Sequence, residues 1–465
     1  MSKRPNIVFI LADDMGYGDF AAFNGGLSQT PVLDALLAES LCLTQQYTAS
    51  PVCNPSRASL LTGRYPHRTG SIDTLEWRGL ERLALREVTL AQLLKQTGYV
   101  TGHVGKWHLG SFDMRYSPTR RGFDEAVCFR GGMHDYYDWR LEYNDQVVRS
   151  NGRYLTDLWT EEAISFIQRH QTNTPFFLSL NYNAPHTPLQ APEEEIRPFR
   201  QTGQFPEGVS RVYGMIRRMD SGIGRILETL DRCGLRENTV VIFTSDNGPE
   251  MTIYDDDPAT DTRRFNCNFN GAKGLVYEGG VRVPLLIRWP DGLVGGRPFH
   301  GMAHFTDWFT TLLAIAGAEM PQDRTIDGVN LLPTLRGESS DLPEQRFWQW
   351  NRYAPVPECN AAMRDGDWKL LFPVIPEAME LFGELQWLEK SMDDYDYFVQ
   401  NGLLPGPLPE RTIPPAGAPE LYNIADDPEE RHNLADAQPE RVAAMRLALE
   451  NWFDDVEAER RTIRE

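Results

Sequence analysis

The sequence predicts an α/β fold in which a large, mostly parallel sheet is covered by helices on both faces. Segments of strand length that are apolar throughout recur along the chain, at residues 6–12, 98–105, 175–182, 239–245 and 283–289. Strands that are apolar on both faces are typical of a parallel sheet buried between layers of helices. Helical patterns separate these segments, so the order of the elements favours the same architecture.

The predicted helices have apolar residues three and four positions apart. They cover residues 30–42, 89–98, 155–170, 214–234, 301–319 and 439–461. A polar stretch at 336–345 indicates a boundary, so we expect a large domain at 1–340 and a smaller C-terminal subdomain at 341–465. Strand candidates at 360–372 and 419–424 predict a short antiparallel sheet, which makes the subdomain α+β.

Charge and composition disfavour several classes of partner. The 465 residues include 66 acidic and 46 basic side chains, and the formal charge of -20 argues against binding nucleic acid or an anionic membrane over a broad surface. No stretch approaches the roughly 18 to 20 apolar residues of a membrane span. The first apolar run is short and ends in two aspartates, unlike a signal peptide. We therefore expect a cytoplasmic chain.

Polar side chains follow the apolar runs at the positions where ligands bind in an open α/β sheet. Asp13 and Asp14 follow the first run, and Asp246 and Asn247 follow the fourth. Each pair alone is also typical of a helix cap or a turn. Together, three carboxylates and one amide oxygen form an all-oxygen set suited to Ca²⁺ or Mg²⁺. If the two strand ends meet, the sequence predicts a divalent cation site.

Basic side chains occur at the same predicted edge of the sheet. Lys106 and His108 follow the second run, His186 follows the third, and Lys273 lies in the glycine-flanked segment GAKG. Lysine is usually a solvated surface residue, and a lone histidine is more often structural than functional. Beside a bound cation, however, these four side chains would form a site that binds an anion and moves protons.

Cys53 is the cysteine whose neighbours call for an explanation. The six cysteines show no C-x-x-C spacing, so neither a disulfide framework nor a zinc cluster is indicated. Residues 56–63 predict a short helix with Pro55 near its start. At the positive end of that helix, Cys53 is expected to have a lowered pKa, and Arg57 can face the same point. The alternative is a structural cysteine before a well-capped helix.

These residues resemble the sulfatase family, which has the alkaline-phosphatase-like fold. The family's signature C-x-P-S-R, followed by A-S-L-L-T-G-R, is intact at residues 53–64. The segments LADDMGYGD, GKWHLG, APHTP, SDNGP and GAKGLVYEGGVRVP occur in the family's order, and the resemblance continues to ELYNIADDPEERHNLA. It implies a large mixed sheet flanked by helices, and a sulfuric ester hydrolase acting on an aryl or carbohydrate sulfate.

The resemblance also implies a modified cysteine. In this family a separate formylglycine-generating enzyme, here a transient partner, converts the signature cysteine to an aldehyde that hydrates to a diol. One diol oxygen attacks sulfur and displaces the alcohol or phenol, and deprotonation of the other hydroxyl then expels sulfate. The implied substrate is a small-molecule or saccharide sulfate ester, and no nucleic acid or membrane is involved.

Carried over residue by residue, the resemblance assigns a role to each intact motif. A divalent cation, Ca²⁺ with Mg²⁺ as the alternative, would be bound by Asp13, Asp14, Asp246, Asn247 and residue 53. Arg57 and Lys106 would hold the diol, and His108 would take the proton of its second hydroxyl. His186 and Lys273 would bind the sulfate and protonate the departing oxygen.

Two segments distinguish this sequence from simple relatives. Residues 373–418 form an insert, which is either a surface excursion or a lid or subunit contact near the site. The segment 130–140 offers aromatic residues as a candidate substrate wall, although such residues serve packing as often as recognition; they are His134, Tyr136, Tyr137 and Trp139.

Two other functions are compatible with the motifs. A phosphonate hydrolase, or a phosphate mono- or diesterase, would use the same residues, because a formylglycine site with Ca²⁺ also accepts a tetrahedral phosphorus centre. A non-catalytic binding protein that keeps the fold is disfavoured, because binding alone does not require all the proton-transfer groups.

Overall fold

The computed structural model describes residues 4–171, 174–253, 256–383, 390, 392, 395–402 and 408–464. Its strands are β1 (Asn6–Ala12), β2 (Leu41–Tyr47), β3 (Val100–Lys106), β4 (Glu125–Phe129), β5 (Arg140–Tyr143), β6 (Gln146–Arg149), β7 (Phe176–Asn181), β8 (Thr239–Ser245), β9 (Arg282–Arg288), β10 (Arg297–His304), β11 (Gln345–Gln349), β12 (Ala361–Asp365), β13 (Trp368–Phe372) and β14 (Glu420–Asn423). The five apolar runs are all strands, and β1 and β8 have the predicted bounds.

Helices connect and cover these strands. They are α1 (Ala21–Asn24), α2 (Pro31–Glu39), α3 (Cys53–Thr62), α4 (Pro66–Thr69), α5 (Leu90–Gln96), α6 (Leu155–Arg169), α7 (Glu193–Thr202), α8 (Glu207–Arg232), α9 (Glu278–Val281), α10 (Phe305–Ala316), α11 (Leu332–Leu335), α12 (Pro376–Met379), α13 (Tyr395–Gln400) and α14 (Pro439–Arg460). The predicted helices at 89–98, 155–170, 214–234 and 439–461 correspond to α5, α6, α8 and α14, so their existence is confirmed.

The predictions at 30–42 and 301–319 each merge a helix with a strand. Helix α2 ends at Glu39 and β2 begins two residues later, while β10 runs to His304 and α10 begins at the next residue. The latter boundary is fixed by a cap, because the His304 N–H donates to the carboxylate of Asp307 at 2.8 Å. The spacing of apolar residues carries no information about such a contact. The pattern therefore predicted one helix at 301–319, where the structure has the end of a strand followed by a helix.

The large sheet has ten strands in the order β10-β2-β9-β8-β1-β7-β3-β4-β5-β6. The central strands β8, β1, β7, β3 and β4 are parallel, whereas β9 runs antiparallel to both β2 and β8. The sheet is thus mixed and mostly parallel at its centre, as expected. Its parallel strands bring the carboxyl ends of β1, β3, β7 and β8 to one edge.

Two buried cores lie on opposite faces of this sheet. Val8 and Ile10 of β1 belong to one core, together with apolar residues of α2, α6 and α8. Ile7 and Phe9 belong to the other, together with residues of α3, α5 and α10. Alternate residues of one strand are therefore buried against different helix layers, which explains why the run is apolar throughout.

The smaller sheet is antiparallel, with the strand order β11-β12-β13-β14. Helix α14 packs on it through Met445 and Leu449, and Tyr65 from the segment after α3 enters the same core. The predicted antiparallel sheet is thus confirmed, while the boundary between 1–340 and 341–465 stays a prediction. Among the described residues, no helix is both long and apolar enough to cross a membrane.

Candidate active site

The predicted cation ligands meet at the carboxyl ends of β1 and β8. These neighbouring parallel strands pair Ala12 with Ser245, so the residues that follow them lie side by side. The side-chain amide of Asn247 donates to Asp14 Oδ1 at 2.8 Å. Gly248, the next residue, lets the backbone of Gly279 pack against this strand end, because a Cβ at that position would lie 1.9 Å from the Gly279 carbonyl oxygen.

Each of the three aspartates is paired with a positively charged side chain. Lys106 Nζ donates to Asp13 Oδ2 at 2.6 Å, and Lys273 Nζ donates to Asp14 Oδ2 at 2.8 Å. Arg57 Nε donates to Asp246 Oδ2 at 2.8 Å, and Arg57 Nη2 lies 2.7 Å from the same oxygen. The three ion pairs are therefore Asp13–Lys106, Asp14–Lys273 and Asp246–Arg57. All three carboxylates are buried, so this pairing offsets a large desolvation cost.

The donor set fits a hard divalent cation. Asp13 Oδ1 and Asn247 Oδ1 are buried oxygens without a hydrogen-bond partner. Ligand atoms of Asp13, Cys53 and Asp246 all lie within 4.8 Å of one another. Burial and the nearby charge of Asp13 raise the pKa of Asp246 to about 6, which shows how closely the carboxylates are grouped. Oxygen donors of this kind are suited to Ca²⁺ or Mg²⁺.

Charge governs the ionisation of Asp14. Burial opposes its ionisation, but the positive charges of Lys273, His186 and Lys106 outweigh burial and hold the pKa of Asp14 below its usual range. The residue also has a φ of 67°, in the left-handed region that a non-glycine side chain rarely adopts. Strained backbone of this kind clusters at functional sites, where the surrounding contacts hold it in place.

Cys53 is the first residue of α3, close to these oxygens. Its Sγ lies 3.4 Å from Nδ1 of His108. The expectation of a lowered thiol pKa is wrong: burial raises the pKa of Cys53, although Lys106 and Lys273 act in the opposite direction. Desolvation of a thiolate here exceeds the stabilisation by the helix end, so an unmodified Cys53 would be a poor nucleophile.

His108 faces Cys53 from the loop after β3. Burial, followed by the charges of Lys106 and Arg57, lowers its pKa well below the usual value, so the imidazole is neutral. Its φ is 55°, a second left-handed residue at this edge. Glu76 Oε1 lies 3.9 Å from His108 Nε2, and burial raises the pKa of this carboxyl to about 7. Sequence reasoning missed Glu76, because its segment SIDTLEWRG carries no recognisable motif.

His186 and Lys273 form the more open side of the cluster. Their side chains are 13% and 15% exposed, whereas Lys106 is fully buried. His186 Nε2 lies 3.8 Å from the Asp14 oxygen that binds Lys273. Tyr136 holds the histidine loop, because its hydroxyl donates to the backbone oxygens of Asn183 and His186 at 2.6 and 2.9 Å. An anion that enters from this side meets these two basic groups first.

The candidate substrate wall is largely internal. His134, Tyr136 and Trp139 are buried, and the Trp139 indole N–H donates to the backbone oxygen of Arg153. His134 Nε2 accepts the backbone N–H of Arg140. Tyr137 is half-buried and its ring packs against Tyr154. The structure therefore gives the first three residues packing contacts, and Tyr137 is the member that keeps exposed surface.

This geometry defines a class of protein. A reactive residue at a helix start, a neutral histidine beside it, a hard-cation donor set and two accessible basic groups form the site of a hydrolase that acts on an anionic ester. Comparison with known proteins identifies the class more closely, because the sulfatase family model matches residues 5–318. A second model, the C-terminal region of N-sulphoglucosamine sulphohydrolase, matches residues 269–389. The chain belongs to the sulfatase family and is a sulfuric ester hydrolase.

Relatives of known activity and structure agree with this assignment. Human N-acetylgalactosamine-6-sulfatase is 37% identical over 367 residues, which cover 73% of this chain and 68% of the human protein. Mouse arylsulfatase J is 30% identical and covers 97% of this chain and 76% of its own length. The crystal structure of Ps i-CgsB in complex with k-i-k-neocarrahexaose superposes with a TM-score of 0.80 at 29% identity, covering 97% of this chain and 92% of that one.

Proposed function

We propose that this chain removes sulfate from a saccharide sulfate ester, with residue 53 as formylglycine and Ca²⁺ as the bound cation. The observation that carries the proposal is the 3.4 Å contact between Cys53 and His108 inside a cluster that holds three carboxylates and three cationic side chains. Sulfatases generally use a formylglycine and a divalent metal, and the unpartnered oxygens of Asp13 and Asn247 fit the metal.

Five residues would hold the cation: Asp13, Asp14, Asp246, Asn247 and residue 53. When bound, the cation supplies Lewis-acid stabilisation of negative charge on oxygen, and the formylglycine diol supplies the nucleophile. Arg57 and Lys106 fix the orientation of the Asp246 and Asp13 carboxylates through their ion pairs. Their positive charges also face residue 53, where they favour an anionic oxygen over a neutral one.

Proton transfer is assigned to the histidines and to Lys273. The neutral imidazole of His108 is placed by Nδ1 to accept a proton from an oxygen carried at residue 53. Lys273 stays charged, because Asp14 outweighs burial and raises the pKa of its ammonium group. This ammonium group would bind sulfate oxygens and supply the proton that the departing alcohol needs. His186 would join it through Nε2 as the imidazolium, because its Nδ1–H already donates to the backbone oxygen of Thr187 at 2.7 Å and burial lowers the pKa of the free ring to about 4.

A saccharide substrate is supported by the relatives. The human relative is named for sulfated N-acetylgalactosamine, and the Ps i-CgsB structure contains an oligosaccharide named neocarrahexaose. The half-buried Tyr137, next in sequence to the residue that contacts the His186 loop, offers an aromatic surface of the kind that packs against a sugar ring.

The proposal is tested by kinetics on matched substrates. The values of kcat/KM are compared for 4-nitrophenyl sulfate, 4-nitrophenyl phosphate, a 4-nitrophenyl phosphonate and 6-sulfated N-acetylgalactosamine, with Ca²⁺ present. We expect sulfate to be preferred over both phosphorus compounds and the sugar sulfate to exceed the aryl sulfate. A preference for phosphorus would overturn the sulfatase activity, and a preference for the aryl sulfate would overturn the saccharide assignment.

A further inference from the structure

The insert reaches the neighbourhood of the active site through helix α13. Tyr395, the first described residue of this helix, is 1% exposed, and Phe398 is fully buried against Phe112 at a ring separation of 4.5 Å. The described part of the insert is therefore docked on the large domain at this point. A surface excursion would leave such aromatic side chains solvated, so α13 is packed into the fold.

Tyr395 binds one turn of the chain, residues 130–132, which we call the 130 turn. The phenol oxygen accepts the backbone N–H groups of Arg130 at 3.0 Å and Gly131 at 3.2 Å. The guanidinium groups of Arg130 and Arg140 each lie 4.7 Å from the centre of the Tyr395 ring. Two backbone bonds and two cation–π contacts converge on one side chain, which fixes the position of the turn.

The 130 turn in turn holds His108. The backbone N–H of His108 donates to the Arg130 oxygen at 3.0 Å. Gly132 lies against the imidazole, since a Cβ added there would come within 2.7 Å of Cε1 and 2.8 Å of Nε2. The N–H of Gly132 donates to Glu76 Oε1, which fixes the far side of the turn. Both the backbone and the ring of His108 thus rest on this turn.

His108 needs such support because its backbone is in the left-handed region, with a φ of 55°. A β-carbon disfavours this conformation, so the surrounding contacts must maintain it. The backbone bond to Arg130 is one of these contacts, and Tyr395 sets the position of Arg130. A shift of the turn would move the imidazole relative to residue 53, and small errors in such distances are costly in catalysis.

We propose that Tyr395 is a positioning residue for sulfate ester hydrolysis, through which the insert aligns His108 with residue 53. This inference rests on the proposed function, in which His108 is the base. The hydroxyl of Tyr395 does not act on substrate; it keeps the 130 turn in contact with the imidazole. Helix α13, in the described part of the insert, is accordingly a structural part of the catalytic site of this sulfatase.

The test replaces Tyr395→Phe, which removes the acceptor oxygen and keeps the ring. Tyr397→Phe is the matched control, because it makes the same change on the same helix two residues away. For 4-nitrophenyl sulfate we expect Tyr395→Phe to lower kcat about tenfold with KM within about twofold, because the base is displaced while binding groups are untouched. Tyr397→Phe should keep the wild-type kcat, and kinetics are measured well below each Tm.

The outcomes separate the two proposals. If wild-type protein with converted Cys53 hydrolyses no sulfate ester, the proposed function fails. If the wild type is active and Tyr395→Phe matches Tyr397→Phe in kcat, the positioning role is overturned, even where Tm falls. Phe398→Leu is the second variant, because it weakens the packing of α13 on the large domain and keeps the Tyr395 hydroxyl. We expect a smaller loss of kcat at constant KM. A change in Tm without a change in kcat would count against the role.

Discussion

Two clusters of buried charge in this protein are built alike and differ in their use. The site cluster comprises Asp13, Asp14, Asp246, Arg57, Lys106 and Lys273. The sheet cluster lies between the two sheets, where the fully buried Lys369 Nζ lies 2.9 Å from oxygens of both Glu278 and Glu430. Tyr47 donates to Glu278 at 2.7 Å, and Arg282 lies 3.2 Å from the same carboxylate.

The two clusters differ in whether the ion pairs leave polar atoms available to a ligand. In the sheet cluster, the contacts join β13 to α9 and to the segment that carries Glu430, so the charges connect the large and small sheets. In the site cluster Asp13 Oδ1 has no hydrogen-bond partner, the adjoining Asn247 Oδ1 has none either, and Lys273 is 15% exposed. Burying charge is costly in both places. In the sheet cluster the buried ion pairs hold the two sheets together. In the site cluster they leave atoms available to a cation and a substrate.

The largest effect on turnover should come from Lys106→Met. The change removes a fully buried cation that faces residue 53 and leaves Asp13 without its 2.6 Å partner. Loss of one preorganised charge at an active site lowers kcat by roughly 10² to 10³-fold. Steady-state hydrolysis of 4-nitrophenyl sulfate measures kcat, and Ca²⁺ is present because a bound cation compensates the unpaired charge of Asp13.

Lys369→Met is the counterpart in the sheet cluster. It removes an equally buried lysine, so Glu278 and Glu430 lose their shared partner. We expect a loss of about 3 to 5 kcal/mol in the free energy of unfolding, with kcat of the folded protein within about twofold of wild type. Denaturant unfolding and the same assay measure both quantities. Loss of kcat in a stable Lys369→Met protein would show that the two clusters do not differ in the way described.

Gly132→Ala should have the next largest effect. The added methyl group would collide with the imidazole of His108 at 2.7 Å, whereas the nearest neighbour of the methyl in Gly131→Ala is the Glu76 carboxylate at 3.1 Å. We expect kcat to fall about 10²-fold in Gly132→Ala, because the base is displaced, and to change little in Gly131→Ala. Equal kcat values in the two variants would mean that the position of the imidazole does not limit turnover.

Metal removal should affect the site cluster alone. A cation bound at 100 times its Kd stabilises the folded state by about 2.7 kcal/mol, so Ca²⁺ should raise the Tm of chelator-treated wild-type protein by a few degrees. Asp13→Asn should abolish this shift. Asp220→Asn is the control, because Asp220 is a buried carboxylate that binds the backbone of Val32 and Leu33 away from the site. A Ca²⁺ shift that survives in Asp13→Asn would place the cation elsewhere.

The smallest effect on turnover should accompany a pH dependence of stability to which Glu81, outside both clusters, contributes. Burial, reinforced by Glu76, raises the pKa of Glu81 to about 8 against an ordinary value of 4.5. Between these values the folded state keeps a proton that the unfolded state has lost, so stability falls as pH rises, by up to about 1.4 kcal/mol per pH unit. Glu81→Gln should reduce the slope of the free energy of unfolding against pH between pH 5 and 8, measured by urea unfolding, and an unchanged slope would contradict the assignment.

The sequence predicted the centre of the fold better than its edges. Runs such as β1 and β8 are apolar because both faces are buried, and burial of this kind is visible in composition. Strands β5 and β6 lie at the edge of the sheet, where every residue of β6 is exposed, so they carry no such pattern. The boundary at His304 depends on a cap, which spacing does not reveal.

The site shows a similar division. Residues that lie in motifs directly after strands were found, because the topology carries them to one edge, and Asp14 and Asn247 do meet there. Glu76 and Tyr395 lie in segments without a motif and reach His108 through tertiary contacts. The expected low pKa of Cys53 also failed, since burial is a property of the folded chain and a helix start alone does not report it.

The central claim is that residue 53 acts as formylglycine beside a bound cation in sulfate ester hydrolysis. The most direct measurement is peptide mass spectrometry of residues 51–57 after coexpression with a formylglycine-generating enzyme, combined with turnover of 4-nitrophenyl sulfate by the same preparation. The account predicts a peptide about 18 Da lighter than the cysteine form, with kcat proportional to the converted fraction. Full turnover by protein that retains Cys53, or no turnover of any sulfate ester by fully converted protein, would contradict it.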